Sequence, residues 1–260
     1  MATRTFLKFL TIGLLAPAAL LASSSTQAAN NTINLGATVR DFHASHPDFE
    51  GDITGLKTGL VTQTLPADKK PDFTGISGGA ITSTATFDEW YQNALDINMN
   101  KDITLTLEET TPNSGVFTFS DNEFFPIDND LFGNEGNSHN YHFTLELHST
   151  FTYLGGETFD FNGDDDLWVY INNDLVIDLG GVHARESGSV NLDTLGLMTG
   201  ESYDFSLFFA ERHTVLSEFT MSTSIALEPT PPVPVPGAIW LFGSGLLGLI
   251  GLKRRPLVSA

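Results

Sequence analysis

The densest run of chemistry-bearing side chains is Asp160-Phe161-Asn162-Gly163-Asp164-Asp165-Asp166, followed at once by the apolar Leu167-Trp168-Val169-Tyr170-Ile171. Three consecutive carboxylates repel one another unless something neutralises them. Hard cations such as calcium favour such oxygens, taking about six to eight from side chains, backbone and water. Side chains alternate in direction along an extended segment. Asp164, Asp165 and Asp166 therefore cannot all reach one ion: at most two bind directly, and backbone carbonyls complete the shell. An EF-hand is excluded, because the loop lacks glycine at its sixth position and has Ile171 where the twelfth requires glutamate. A solvated acidic turn before a strand is the alternative reading of the same residues.

Other chemistries find less support. Gly75-Ile76-Ser77-Gly78-Gly79 fits G-x-S-x-G, but a nucleophile elbow needs a strand before it and a helix after it. Residues 71–74 contain Pro71, and residues 80–86 are rich in Thr and Ser, so a glycine turn is expected instead. There is no cysteine, which removes thiolate zinc sites, cysteine nucleophiles and thiol redox chemistry, and is compatible with export. Carboxylates are abundant, yet no spacing singles out the acid and nucleophile of a glycosidase. H-E-x-x-H and phosphate-binding loops are absent. The sequence is read as that of a non-enzyme.

The formal charge is -20, from 12 basic and 32 acidic residues. Arg4, Lys8, Lys253, Arg254 and Arg255 lie in the end segments, whereas every acid falls between Asp41 and Glu228; the middle thus holds 7 basic against 32 acidic residues, or -25. Such a surface repels phosphate backbones, so no nucleic-acid partner is expected. It suits divalent cations and solubility. Twenty phenylalanines supply a core and exclude disorder.

Both ends read as addresses. Residues 1–28 have the parts of a secretory signal: Arg4 and Lys8, an apolar run from Phe9 to Ala22, and a small, polar cleavage region. Residues 29–227 form the domain, and residues 228–237 a stiff Pro-rich linker. Residues 238–252 form an uncharged transmembrane helix with Trp240 at one interface, and residues 253–260 a basic cytoplasmic tail. At about 1.5 Å per residue such a helix spans only about 22 Å. Pro234, Pro236, Trp240, Arg254 and Arg255 together resemble a PEP-CTERM sorting tail, with Pro-Val-Pro in place of the usual Pro-Glu-Pro. This resemblance implies processing by an exosortase, a transient inner-membrane anchor, and a Gram-negative host that makes extracellular polysaccharide.

Within the domain, apolar residues recur with period two at Ile103, Leu105 and Leu107, at Phe143, Leu145 and Leu147, at Tyr203, Phe205, Leu207 and Phe209, and at Phe219, Met221 and Ile225. Leu167 to Ile171 is continuously apolar, as in a central strand covered on both faces, and Asn172-Asn173 offers a hairpin turn into Leu175-Val176-Ile177. Trp168 and Tyr170 are therefore expected in the core. The best helical signal is a short surface helix within residues 87–95. The fold class is mainly β: an antiparallel sandwich or jelly roll, with residues 30–102 as a loop-rich wrap poor in strands.

Val39-Arg-Asp-Phe-His43, His46-Pro-Asp-Phe-Glu50, Phe124-Phe-Pro-Ile-Asp128, His139-Asn-Tyr-His-Phe143, Gly163-Asp-Asp-Asp-Leu-Trp-Val-Tyr-Ile-Asn172, Val176-Ile-Asp-Leu-Gly-Gly-Val-His183 and Phe209-Ala-Glu-Arg-His213 resemble, as an ordered set, a fibro-slime domain. That family is similar to the sugar-binding sandwich named after anthrax protective antigen. The resemblance implies an Asp164-Asp165 pair joined by a cis peptide and holding calcium, which binds sugar hydroxyls; Asp166 stands where the related pattern usually has glycine. Asn162, Asp178, His183 and Glu211 are accessory ligand candidates. His183, Glu211, Arg212 and His213 are expected mainly to make structural hydrogen bonds. The function expected is a secreted or surface-displayed matrix protein that binds extracellular polysaccharide or another glycan through a calcium-dependent loop. A purely structural or adhesive surface protein is the alternative, and a polysaccharide-modifying enzyme working through Glu211 or Asp165 a weaker one.

Overall fold

The computed structural model describes residues 31–76 and 78–229. The expected signal segment, the sorting tail with Pro234, Pro236, Trp240, Arg254 and Arg255, and Ser77 of the glycine turn lie outside the described residues. Among the described residues, no helix is long and apolar enough to cross a membrane.

Eleven strands dominate: β1 (Thr32–Phe42), β2 (Asn98–Glu109), β3 (Phe117–Asp121), β4 (Phe143–Thr152), β5 (Thr158–Gly163), β6 (Asp166–Ile171), β7 (Asp174–Leu179), β8 (Glu186–Asn191), β9 (Ser202–Glu211), β10 (Phe219–Thr223) and β11 (Glu228–Pro229). The strands expected from apolar alternation are present as β2, β4, β9 and β10. The continuously apolar run is β6, buried throughout its length. Asn172 and Asn173 turn the chain into β7 with φ of 53° and 69°, the left-handed conformation a two-residue hairpin of this kind needs.

All pairing is antiparallel, in the order β7-β6-β9-β4-β1-β2-β3-β10-β5-β8, with β11 added beside β4. The long strands β1 and β2 are joined to the shorter β3 by only two residue pairs, Glu108 with Thr118 and Glu109 with Phe117. There the sheet folds over on itself. Rings then meet across the gap: Phe159 lies 5.2 Å from Phe205, and Phe219 5.2 Å from Phe209. The ends of the order also approach: a β-carbon added to Gly188 of β8 would lie 2.5 Å from Ile177 of β7. The result is a sandwich close to a closed barrel.

Period-two alternation divides each central strand between two cores. Leu167, Val169, Ile171, Phe205, Leu207 and Phe209 face the interior between the layers. Trp168, Tyr170, Phe208 and Ala210 face outward, under Leu60, Val61, Leu65, Phe87, Trp90 and Tyr91. The wrap therefore seals the outer face of β6 and β9, and Trp168 and Tyr170 are core residues as expected. Two expectations are corrected. The N-terminal segment is not poor in strands at its start, since β1 is 11 residues long and lies centrally between β4 and β2. Nor is there a surface helix over residues 87–95: a single helical turn spans Thr84–Phe87, capped by Ser83, and Phe87, Trp90 and Tyr91 are buried. Their aromatic bulk is drawn down onto Trp168 and Phe208.

Strand register assigns the poles. Phe42, Phe143, Glu211, Gly163 and Phe219 lie at one end of the sandwich; Thr32, Thr152, Ser202 and Thr158 lie at the other. Glu228 pairs with Thr150, so the described chain enters and leaves at this second pole.

Two polar anchors tie the wrap to the sheet. Arg212, just beyond β9, is 1% exposed and ion-pairs with the fully buried Asp166 through Nε at 2.6 Å. Its Nη1 donates to the carbonyls of Asp48 at 3.2 Å and Ala80 at 2.5 Å, and its guanidinium lies 4.9 Å from the centre of the Trp90 ring. Asp48 in turn accepts from the Thr82 amide and the Trp90 indole. The second anchor is Glu146 of β4, which meets Arg40 of β1, Lys70 of the wrap and His148. Burial, the largest influence, raises the Glu146 carboxyl, but the hydrogen bond from His148 and the charges of Lys70 and Arg40 outweigh it and hold it at about 2. Lys70 is itself lowered by burial despite Glu146, which limits the net gain.

Replacing Arg212 by leucine strands a buried carboxylate, so Arg212→Leu is expected to cost about 3–5 kcal/mol in urea unfolding. The double variant Arg212→Met/Asp166→Leu should be more stable than Arg212→Leu; a double variant as unstable as the single one contradicts this account. For Glu146 the folded pKa is depressed, so its stabilisation is complete above the ordinary value of 4.5 and fades as pH falls towards about 2. Glu146→Gln should lose roughly 1–3 kcal/mol at pH 7. Unfolding curves at successive pH values should show the gap to the parent closing across that window, whereas a gap independent of pH would assign the loss to packing.

Candidate functional site

β5 and β6 belong to opposite layers, and Asp164 and Asp165 form the two-residue passage between them. Gly163 allows the passage: a β-carbon there would sit 2.1 Å from the Glu218 carbonyl oxygen. The Asp164-Asp165 peptide is cis, as the resemblance implied.

The three carboxylates then separate. Asp166, the first residue of β6, turns back into the protein, where Oδ1 accepts from the Gly181 amide and Oδ2 from Arg212 Nε, both at 2.6 Å. Asp165 accepts from the amides of His183 and Arg212, each at 3.1 Å and one on each oxygen. Asp164 Oδ1 accepts from the Glu218 amide at 2.6 Å. Asp164 and Asp165 line a cavity of about 380 Å³, together with Glu211, Glu218, His183 and His213. Asp166 is absent from its lining, which corrects the expectation of an Asp164–Asp166 ligand set: its oxygens are committed to Arg212 and Gly181.

Glu211, the last residue of β9, closes the acidic floor. It is 1% exposed; Oε1 accepts weakly from the His213 amide at 3.4 Å, and Oε2 makes no well-formed hydrogen bond, the Ser217 hydroxyl offering the carboxyl only a loose one. Burial pushes its carboxyl well above the usual range, and the nearby Asp165 and Asp164 push it further. Burial likewise raises Asp165, against the pull of the Arg212 charge. It raises Asp164 too, against the hydrogen bond from Glu218. Three desolvated carboxyls thus share one cavity, while the nearest buried cation, Arg212, is paired with Asp166. The carboxyl oxygens of these three residues suit a hard cation, and the imidazoles of His183 and His213 stand beside them, the buried His213 Nδ1 without a hydrogen-bond partner. Among the described residues, however, no three His, Asp or Glu side chains converge as a self-sufficient metal site. Backbone carbonyls, water or ligand oxygens would have to complete a shell.

The accessory candidates scatter. His183 lines the cavity, its ring nitrogens facing the carbonyls of Ala184 at 2.8 Å and Leu179 at 3.3 Å. Asp178 lies outside the cavity lining, accepting from the Trp168 indole at 3.0 Å and the Gly59 amide at 2.7 Å, which fixes the wrap against β7. Asn162 alternates to the outer face of β5, where it donates to Ser187 at 2.8 Å and lines a separate depression with Asp160 and Thr220. Period two in β5 separates Asn162 from the inward Phe161, so sequence adjacency to the Asp run misled. Sequence reasoning missed Glu218, which positions Asp164 through its amide and ion-pairs Arg185 at 3.0 Å. It also missed the apolar rim of Ile53, Val215 and Leu216. Only the apolar Val215-Leu216 pair within a loop signals that rim in the sequence.

Residues 98–231 match the PA14 domain family. The chain is similar to Protein psiQ and Protein psiC of Dictyostelium discoideum, each 40% identical over 212 and 215 residues respectively. These matches cover 76% of this chain but 22% and 42% of those proteins, so the chain spans less than half the length of either relative. Among solved structures it is similar to one described as the PA14 sugar-binding domain from RTX adhesin, at 10% identity and a TM-score of 0.31, covering 68% of this chain and 94% of that one. With β2 to β11 and the Asp164-Asp165 passage all inside the matched span, the chain belongs to the PA14 domain family.

Proposed function

We propose that this domain is a non-catalytic carbohydrate-binding module, exported to the cell surface or extracellular matrix, that holds calcium at Asp164 and Asp165 and binds glycan hydroxyls there. The observation that carries the reading is the cavity itself: two adjacent carboxylates facing outward over a third, Glu211, with a buried oxygen that makes no well-formed hydrogen bond. Calcium bound there would supply coordination positions for a pair of sugar hydroxyls. The chain's own groups do the positioning. Amides of His183 and Arg212 fix the plane of Asp165, the Glu218 amide fixes Asp164, and the Arg212–Asp166 pair locks the strand ends that carry them. The fibro-slime resemblance supports the matrix role. The two-pole topology supports display: the chain enters and leaves opposite the cavity, so an anchor at the C-terminal side would leave the site facing outward. The sorting tail, exosortase processing and transient membrane anchor belong to the same proposal.

Calcium titration of the purified protein tests the metal. A site filled to about a hundred times its Kd adds about 2.7 kcal/mol, and the melting temperature should rise by roughly 5–10 °C. The rise should vanish with chelator and in Asp165→Asn and Asp164→Asn. A glycan array probed with calcium and again with chelator then tests the ligand. A calcium-dependent rise without any glycan binding would favour the structural or adhesive reading, with the metal serving the fold alone. No calcium response in the parent protein would reduce the Asp164-Asp165 passage to an acidic turn.

A further inference from the structure

The geometry points to the class of sugar this cavity takes: a neutral sugar bearing a methyl group beside a vicinal hydroxyl pair, as in a 6-deoxyhexose or an N-acetylhexosamine. This inference rests on the calcium-dependent reading above and deepens it.

Charge settles the first half. The lining carries Asp164, Asp165, Glu211 and Glu218 against one arginine, Arg185, which is already paired with Glu218 at 3.0 Å. A divalent cation leaves no positive surplus to attract a carboxylate, and the middle of the chain is strongly acidic around it. Uronic and sialic acids are repelled.

The rim settles the second half. Ile53, Val215 and Leu216 are 66%, 60% and 56% exposed, three of the few large apolar side chains left in water, and all three border the cavity. Scattered exposed leucines need no explanation, but three gathered over an acidic floor mark a binding edge. The chain holds this edge in place. The loop carrying Val215 and Leu216 starts at the buried Arg212, is tied midway by the Thr214 amide to Glu50 at 3.0 Å, and ends where the Glu218 amide meets Asp164. Ile53 sits in the wrap segment that the Gly55 amide fastens to the Val182 carbonyl at 2.8 Å. Among the described residues that line the cavity none is Phe, Tyr or Trp, and the rings present are the smaller, polar imidazoles of His183 and His213. Aliphatic side chains instead present convex, methyl-sized surface. Burying one methyl against them corresponds to about 0.8 kcal/mol, a roughly four-fold gain in affinity.

Matched sugar pairs test the inference by calorimetry on the calcium-loaded protein. L-fucose against L-galactose and L-rhamnose against L-mannose differ only in a methyl for a hydroxymethyl group; N-acetylgalactosamine against galactose tests the acetyl source, and galacturonate the charge. The methyl-bearing member of at least one pair should bind about three- to ten-fold more tightly, with galacturonate weakest. In Val215→Ser/Leu216→Ser that preference should fall towards unity, while calcium titration of the same variant reports an intact Asp164-Asp165 site. Calcium-dependent binding with equal affinities in every pair, or tightest binding of galacturonate, overturns the inference and leaves the calcium-lectin reading standing. Calcium binding with no sugar bound at all overturns both.

Discussion

The ion pair between Arg212 and Asp166 is the constraint on which the site depends. Both groups are buried, and a guanidinium removed from water is tolerable only when its donors find oxygens. Arg212 finds them on three separate segments: Asp166 at the start of β6, the Asp48 carbonyl in the wrap, and the Ala80 carbonyl ahead of the helical turn. Its Nη2 alone is left without a partner. These contacts bring the end of β9, the start of β6 and the wrap to a single point, which adjoins Asp165 and Glu211 of the candidate cavity.

The pair also explains why three successive carboxylates can be carried on one short segment. Alternation sends Asp165 and Asp166 to opposite sides of the backbone, and a dedicated cation neutralises the inward one. What remains is a surplus of negative charge on the outward side, at Asp164, Asp165 and Glu211, with Arg212 the one buried cation beside it and that cation already paired with Asp166. Desolvation raises all three carboxyls, and mutual repulsion adds to the effect at Glu211. A fold that commits its buried arginine to the structural carboxylate leaves the others without a cation of their own.

Much of this was legible from residue order, and for identifiable reasons. Strands β2, β4, β9 and β10 announce themselves by period-two alternation, and β6 by unbroken apolarity, because each faces at least one dry surface. The statement that at most two of the Asp run face one site follows from alternation alone, and the cavity respects it. β1 was illegible because Gly36 and Ala37 dilute its alternation and because it ends in the buried polar residues Arg40 and Asp41. β8 hides for the same kind of reason: Ser187, Gly188 and Ser189 carry no apolar signal, although Gly188 is what lets β7 and β8 approach. Asn162 and Asp178 looked like ligands because they are near in sequence, but one is turned outward by the pleat and the other is held by Trp168 and Gly59. Glu218 and the apolar rim could not be found locally. Glu218 and the Val215-Leu216 loop reach the cavity through the pairing of β10 with β5, a contact between residues more than fifty positions apart, and Ile53 through the Gly55–Val182 hydrogen bond.

The division of labour between strands and loops follows from these contacts. Everything that must be rigid is placed on a strand end or on a backbone amide adjoining one: Glu211 on β9, Asp166 on β6, and the amides that aim Asp164 and Asp165. The exposed apolar side chains at the cavity, Ile53, Val215 and Leu216, are placed on the loops beyond. A sandwich can vary such side chains without disturbing its cores, because Ile53, Val215 and Leu216 belong to neither the interior layer nor the aromatic layer beneath the wrap. The acidic floor is therefore bound to the fold by the same hydrogen bonds that hold the layers together, whereas the rim side chains stand in solvent on segments held through their backbones. On the calcium-lectin reading proposed above, affinity for a cation would belong to the sandwich, and discrimination among its ligands to three aliphatic side chains.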